Sequence, residues 1–466
     1  MTAIAPRVEF FSAFLALTLS ASGADWNTLK TVGDFGAIGD GVADDTAAIQ
    51  SAVESNAGDV VFSRGVYRIT KPIIIDLDKA GPVSVIGTGT GKIVMAGPGP
   101  ALKFVGTHEG TASPASVKPE VWQRQRMPMV EGLVIVGEHE AACGIEVTGT
   151  IKLTITRTTV RGVLHAIHLT VRNRNVIVSD CHLYENRGVG LYLDGVDLHQ
   201  INVAGSHVSY NAGGGIVVRG GNVRNLHVSG CDIEGNRQNI LLDSAGAAAG
   251  VAEVAITGCT LQHPGDGEDS ANIRFIGADP EGGRNWGFLT ITGNVFTDTE
   301  TNIDICKART VSITGNTVGT GYRYSLRIVD SSNLTIGPNT FDRHPRYRDE
   351  QTADNALLLA GCDDVTISGL HINGVRRAEG GLVLEDCRRV NLTGCTILDC
   401  DHAGLVLKNV SDSRVADCLI RNDVTAAPWR AIQLTGGHGN AIGDNSLGGP
   451  AEIDSKAVRA AAESSN

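Results

Sequence analysis

Apolar and polar residues alternate along most of this chain in short bursts, and the bursts recur in a fixed order. Gly190-Leu-Tyr-Leu193, Gly215-Ile-Val-Val218 and Asn239-Ile-Leu-Leu242 are first strands with small or polar entry residues. Second strands follow at Gln200-Ile-Asn-Val203 and Asn225-Leu-His-Val228. Each then gives a two-residue turn and a third strand, Ser206-His-Val208 and Cys231-Asp-Ile233. Alternation at period two buries one face of each strand. Three one-faced strands cannot close a core alone, whereas stacked copies can.

The first-strand word recurs from Gly144-Ile-Glu-Val147 through Ala166, Gly190, Gly215, Asn239, Asn272, Asn302, Ser325, Ala356, Gly381 and Gly404 to Ala431-Ile-Gln-Leu434. The turn between second and third strands stays short (Ser229-Gly230, Thr257-Gly258, Thr292-Gly293, Thr314-Gly315, Thr393-Gly394). Length variation falls on the turns flanking the first strand. The pattern predicts an all-β parallel β-helix with three strands per coil and at least twelve coils. At the usual spacing of parallel strands this is a rod roughly 55–60 Å long. The predicted organisation is a leader over 1–24, an N-terminal segment with a capping helix over 25–57, the β-helix over 58–450 and a C-terminal tail over 451–466.

Composition agrees: 58 of 466 residues are Gly, as frequent turns demand. The net charge of −12 speaks against nucleic-acid or anionic-membrane partners. No stretch is long and apolar enough to span a bilayer. Phe10–Ser20 is an apolar run of signal-peptide length, and Ser22-Gly-Ala24 fits a small-residue cleavage site. The segment before it lacks the expected positive charge. The expectation is a secreted or periplasmic protein, the alternative a disordered or capping leader.

Ala47, Ala48, Ile49, Ala52 and Val53 recur at helical spacing, with Asp44 or Asp45 placed to cap the helix. Such a helix would cover the open edge of the first coil. Asp40, Asp44 and Asp45 lack the regular spacing of a calcium loop.

Asp34-Phe-Gly-Ala-Ile-Gly-Asp-Gly-Val-Ala-Asp-Asp-Thr-Ala-Ala-Ile-Gln50, followed by Gly58-Asp-Val-Val-Phe-Ser-Arg-Gly-Val-Tyr-Arg-Ile69, resembles the N-terminal signature of the pectate-lyase-like superfamily. That resemblance implies a right-handed parallel β-helix. Its members include polysaccharide lyases, polygalacturonase-like hydrolases, alginate epimerases and phage tail proteins. The Asp-Pro-His-Glu word of the alginate epimerases is missing, and Asp363-Asp364 and Gly437-His-Gly439 do not make a convincing polygalacturonase pattern. The resemblance therefore implies a carbohydrate-facing protein without choosing a reaction.

If the second and fourth letters of each word are buried, the third points outward. The outward row reads Glu146, His168, Tyr192, Val217, Leu241, Arg274, Asp304, Arg327, Leu358, Val383, Val406 and Gln433, and the residue after three of the words, also outward, adds Asp194, Arg219 and Asp243. Insertions at Ser244–Glu253, His263–Ala271, Ala278–Gly287 and Asp342–Asn355 would wall this floor, as loops build sites on rigid scaffolds. Thr107–Met129 either lies over the floor or crosses the surface elsewhere. His, Tyr, Arg and Asp in neighbouring coils are unusual for a bland solvated sheet. From Thr150 to Gln238 nine Lys or Arg face six Asp or Glu, a local excess of three positive charges.

The candidate catalytic residues are His168, Tyr192, Asp194, Arg219, Asp243, Arg274, Asp304 and Arg327. Glu146, Arg187, Arg237, Arg284 and Trp286 are candidates for holding substrate. In β-elimination from a uronic acid, an arginine neutralises the carboxylate and His168, Tyr192 or another Arg removes the C5 proton. In hydrolysis, Asp194 with Asp243, or Asp243 with Asp304, supplies the paired carboxyls. An Arg274–Asp304–Arg327 ladder suits a floor that binds carboxylate or sulfate. Asp266, Glu268 and Asp269 could ligate calcium from a loop above it. Lyase is the first expectation and hydrolase the second, acting on a polysaccharide and as a monomer rather than a trimer; a glycan-binding or tail-like adhesive protein is the alternative from another class. Asn186, Asn211 and Asn236 read as a structural ladder. The ten Cys show no metal-ligand spacing; Cys231–Cys259 and Cys395–Cys418 fall in adjacent coils within reach of a disulfide.

Overall fold

A computed structural model describes residues 30–459 except 56–57, 90, 111, 265–266, 268, 344–351 and 425–427. The leader at 1–24, with Asp266 and Glu268 of the acidic loop, therefore lies outside the described residues. The strands stack as parallel ladders without exception. Third strands form one 16-stranded sheet, and first and second strands merge into a second sheet because several strands run unbroken round the corner between them. Ile167–Ser179 and Val189–Ala204 are such strands.

Many corners carry a residue in the left-handed region, which Gly, Asn and Asp adopt most readily. At the short turn Asp180, Gly205, Gly230, Gly258, Gly293 and Gly315 have φ between 53° and 69°. Asn175, Gln200, Asn225 and Glu253, with φ between 53° and 71°, are left-handed where the second strand begins.

The first-strand sheet extends further than the recurring word indicated. Ile73–Asp76 and Gly99–Val105 add two rungs before Gly144, and Ala451–Ile453 adds one after Ala431, so the solenoid runs past residue 450. Pro72 and Pro450 stand at the entry position of the first and last of these rungs, where the others carry a small or polar residue.

The interior is a continuous apolar column along the rod. Where the chain turns inward with polar groups, asparagine amides satisfy them. Asn186 Nδ2 donates to Asn211 Oδ1, and Asn211 Nδ2 to Asn236 Oδ1, each at 2.8 Å. The chain of amides then crosses to the first-strand entry position through Asn239, Asn272 and Asn302. A second ladder joins Asn294, Asn316 and Asn339. All ten cysteines are free thiols, eight of them buried.

Helix α1 (Thr46–Glu54) buries Ile49, Ala52 and Val53 against the first coil. It also finishes the sheet: Gln50 Oε1 accepts from Ile74 N at 2.9 Å while its Nε2 donates to Ile74 O at 3.1 Å. A side-chain amide thus stands in for a neighbouring strand at the open edge. The three aspartates before it serve the backbone. Asp45 accepts from Ile38 N and Gly39 N, Asp40 from Val42 N and Ala43 N, and Asp44 from Thr46 N.

The Thr107–Met129 segment carries a short helix, Pro119–Arg124, whose Val121 and Trp122 pack on Ile151. Ile151 ends a first strand at its corner, so this segment lies beside the floor and not across it.

Candidate functional site

The outward row exists in the predicted phase. Glu146, His168, Tyr192, Val217, Leu241, Arg274, Asp304, Arg327, Leu358, Val383, Val406 and Gln433 pair rung to rung without a slip. Asp194, Arg219 and Asp243 form a parallel row two residues on. Rung spacing places like positions about 4.8 Å apart, so both rows run along the rod.

Two separate chemistries occupy this floor. The first gathers around His168. Its ring stacks on Tyr192, with centroids 5.2 Å apart and an interplanar angle of 6°. Its Nε2 lies 3.3 Å from Asp194 Oδ2. His165, which the alternation pattern missed, completes the group with its ring 5.3 Å from His168 and 5.0 Å from Tyr192. It sits in the turn just before the strand, where period two no longer applies. Burial pushes the His165 pKa down to about 4, with His168 adding to the effect. Burial, and then the Asp194 carboxylate, raise the Tyr192 pKa and keep the phenol protonated. Arg219 stands exposed one rung beyond Asp194.

The backbone beside this group departs from its neighbours. Val171 has φ 58° and is 70% exposed, where Gly149 and Gly195 turn the same corner in the adjoining coils. A β-branched residue in this region is strained.

Val189, Val217 and Leu241 form a small apolar patch next along the floor, with Tyr192 packed at its edge. The second polar group follows. Asp304, 4% exposed, accepts from Arg274 Nε and Arg327 Nη1, each at 2.8 Å. Arg274 also holds Asp269 at 3.2 Å. The predicted ladder of alternating charge is present, with each arginine directing one nitrogen at the shared Asp304 carboxylate. Beyond it Leu358, Val383, Ala403 and Val406 make a second apolar patch.

Most of the other candidates are engaged elsewhere. Glu146 pairs with Lys103 at 2.8 Å. Arg187 donates to the carbonyls of Gly162, His139 and Glu140, clamping a turn. Arg284 reaches Asp363 and Gly361 O, tying the 277–287 segment to a later coil. Trp286 lies against the core, with the Arg224 guanidinium over its ring at 5.2 Å. Asp243 accepts from Ala245 N and shapes its own turn. Arg237 is exposed at the turn bordering the floor. Among the described residues, no three His, Cys, Asp or Glu side chains converge in a way suited to a metal ion.

Parallel three-strand coils, inward amide ladders and a floor set with ionisable groups define a pectate-lyase-like, right-handed parallel β-helix repeat protein, and its likeness to known proteins is of the same kind. Residues 30–99 match the family described as rhamnogalacturonase A/epimerase, pectate lyase-like; residues 136–261 match the right-handed β-helix region; residues 284–460 match the periplasmic copper-binding protein NosD. Mannuronan C5-epimerase AlgE2 of Azotobacter vinelandii is 41% identical over 71 residues, 14% of this chain and 7% of the epimerase. The chain thus matches only a small part of that relative's length. Among solved structures, gene product 12 of bacteriophage phi29 is similar with a TM-score of 0.61 at 14% identity, covering 92% of this chain and 57% of that one. The tailspike protein of E. coli bacteriophage HK620, in complex with pentasaccharide, gives 0.54 at 12% identity, covering 88% and 78%. At such identities the likeness concerns the fold.

Proposed function

We propose that this is an exported protein that acts on an acidic polysaccharide by β-elimination at the His168–Tyr192–Asp194 group. The observation that carries the proposal is the in-register stacking of these side chains on the outward row, with exposed Arg219 one rung on. The 71-residue likeness to a mannuronan C5-epimerase supports a uronate polymer as substrate.

In this mechanism Arg219 holds the uronate carboxylate, which lowers the cost of removing the proton on C5. Asp194 accepts from His168 Nε2–H, fixing the ring so that Nδ1 takes that proton. The electron pair of the C5–H bond forms the C4=C5 double bond, and the bond from C4 to the glycosidic oxygen breaks. The Tyr192 phenol, kept protonated by its surroundings, gives its proton to the departing oxygen. The hydrolase alternative has less support, because Asp304 is committed to two guanidiniums and Asp243 to its turn.

The test exposes the purified protein to alginate, polygalacturonate and neutral polysaccharides, following unsaturated-uronate absorbance and reducing ends together. Both are expected to rise on an acidic polymer and to fall by a factor of at least about 100 in His168→Ala. Reducing ends without absorbance would make it a hydrolase. Retained binding without either signal would make it a glycan-binding protein.

A further inference from the structure

His165 and His168 lie side by side, yet they are bound differently. His165 Nδ1 accepts a hydrogen bond from the Val189 backbone N–H at 3.2 Å. A nitrogen that accepts carries no proton, so the neutral ring bears its hydrogen on Nε2. Protonating Nδ1 would set two N–H groups against each other and break the only hydrogen bond this side chain makes among the described residues. Nε2 has no hydrogen-bond partner there and is not among the enclosed polar atoms, and its ring lies against those of the floor residues His168 and Tyr192.

The placement is enforced by a glycine. A Cβ on Gly188 would lie 2.2 Å from Leu164 O and 2.8 Å from His165 Nδ1, so only glycine admits the ring here. The ionisable neighbours are His168, Tyr192 and Asp194, with Cys143 bonded to the His165 backbone. Asp194 draws a proton toward His165, but burial and His168 outweigh it.

We infer that His165, its Nδ1 occupied by the Val189 N–H, is a neutral hydrogen-bond donor that presents Nε2–H to an acceptor oxygen of the bound sugar, leaving proton transfer to His168. Two imidazoles about one ring-width apart then hold different offices because their environments separate them. The donor role rests on the polysaccharide reading above; the fixed tautomer does not.

The test has two arms. Ring ¹⁵N–¹H correlation spectra of the ¹⁵N-histidine-labelled protein, recorded from pH 5 to 8, are expected to show His165 as the Nε2–H tautomer throughout, unchanged by pH. Titration within that range, or a proton on Nδ1, overturns the inference whatever the protein binds. In the second arm, calorimetry with alginate and polygalacturonate oligosaccharides compares two variants. His165→Gln keeps an N–H donor and is expected to bind within about twofold of the wild type, whereas His165→Phe keeps a ring without the donor and is expected to bind about tenfold more weakly. Wild-type affinity in His165→Phe overturns the donor role. If the unaltered protein binds neither polymer, the polysaccharide reading fails and takes the donor role with it, while the spectra still decide the tautomer.

Discussion

Asp304→Asn separates a strut from a binding floor. Asp304 is 4% exposed and accepts two charge-assisted hydrogen bonds at 2.8 Å, one from each neighbouring rung. Each such bond contributes on the order of 1.5–3 kcal/mol. The guanidiniums themselves keep 18% and 35% of their side-chain surface, so water recovers part of what is lost. Asparagine keeps the shape and one acceptor oxygen but removes the charge that both cations share. We expect a loss of about 2–3 kcal/mol, and about 3–5 kcal/mol for Asp304→Ala, in the range for breaking a buried ion pair. Urea unfolding followed by far-ultraviolet circular dichroism at low and high salt measures it. A pair this enclosed is little screened, so the loss should persist in salt. Affinity for a polyanion should stay level or rise, because the variant frees two arginines. Unchanged stability combined with lost affinity or turnover would refute the strut and return Asp304 to the substrate site.

Asn211→Ala should cost about 3 kcal/mol in the same assay. It orphans the Asn186 backbone N–H and removes amide bonds to Leu183 O and Asn236, all buried. Val171→Gly should stabilise by about 0.5–1 kcal/mol, the relief of left-handed strain exceeding the added chain entropy, and a lower urea midpoint would contradict it. Stability should fall on acidification from pH 6.5 toward 4. Between its ordinary pKa of 6.5 and its folded value of about 4, His165 binds a proton in the unfolded chain but not in the folded one. Full linkage would be about 3 kcal/mol, and solvent screening of a partly exposed ring reduces it to about 1–2 kcal/mol. His165→Gln should flatten that slope, and a slope unaltered in the variant would assign it to other groups.

The outward row could be read from the chain because period two leaves no freedom: once the inward letters are apolar, the third letter faces out. Alternation assigns rungs, however, not partners. It placed Arg274, Asp304 and Arg327 in adjacent coils without showing that the aspartate absorbs both cations. The partners of Arg187 are backbone carbonyls, which no side-chain pattern displays, and Arg284 meets Asp363 and the Gly361 carbonyl across coils far apart in sequence. His165 escaped because it stands in a turn, and its partner is the N–H of Val189, one coil away. The corner position of the Thr107–Met129 segment depends on Trp122 meeting Ile151, a contact between residues with no periodic relation.

Parallel, in-register stacking gives every outward position just two lateral neighbours, one on the coil before and one on the coil after. A new side chain on the floor must suit chiefly those two and the turn residues beside them, so the surface can be rewritten one coil at a time while the column of apolar residues inside is left as it was. Gain or loss of a whole coil slides everything beyond it by a single strand spacing and keeps each row in line. Such a molecule resembles a line of type more than a lock: its vocabulary can change character by character, and its length can change, without recasting the frame that holds it.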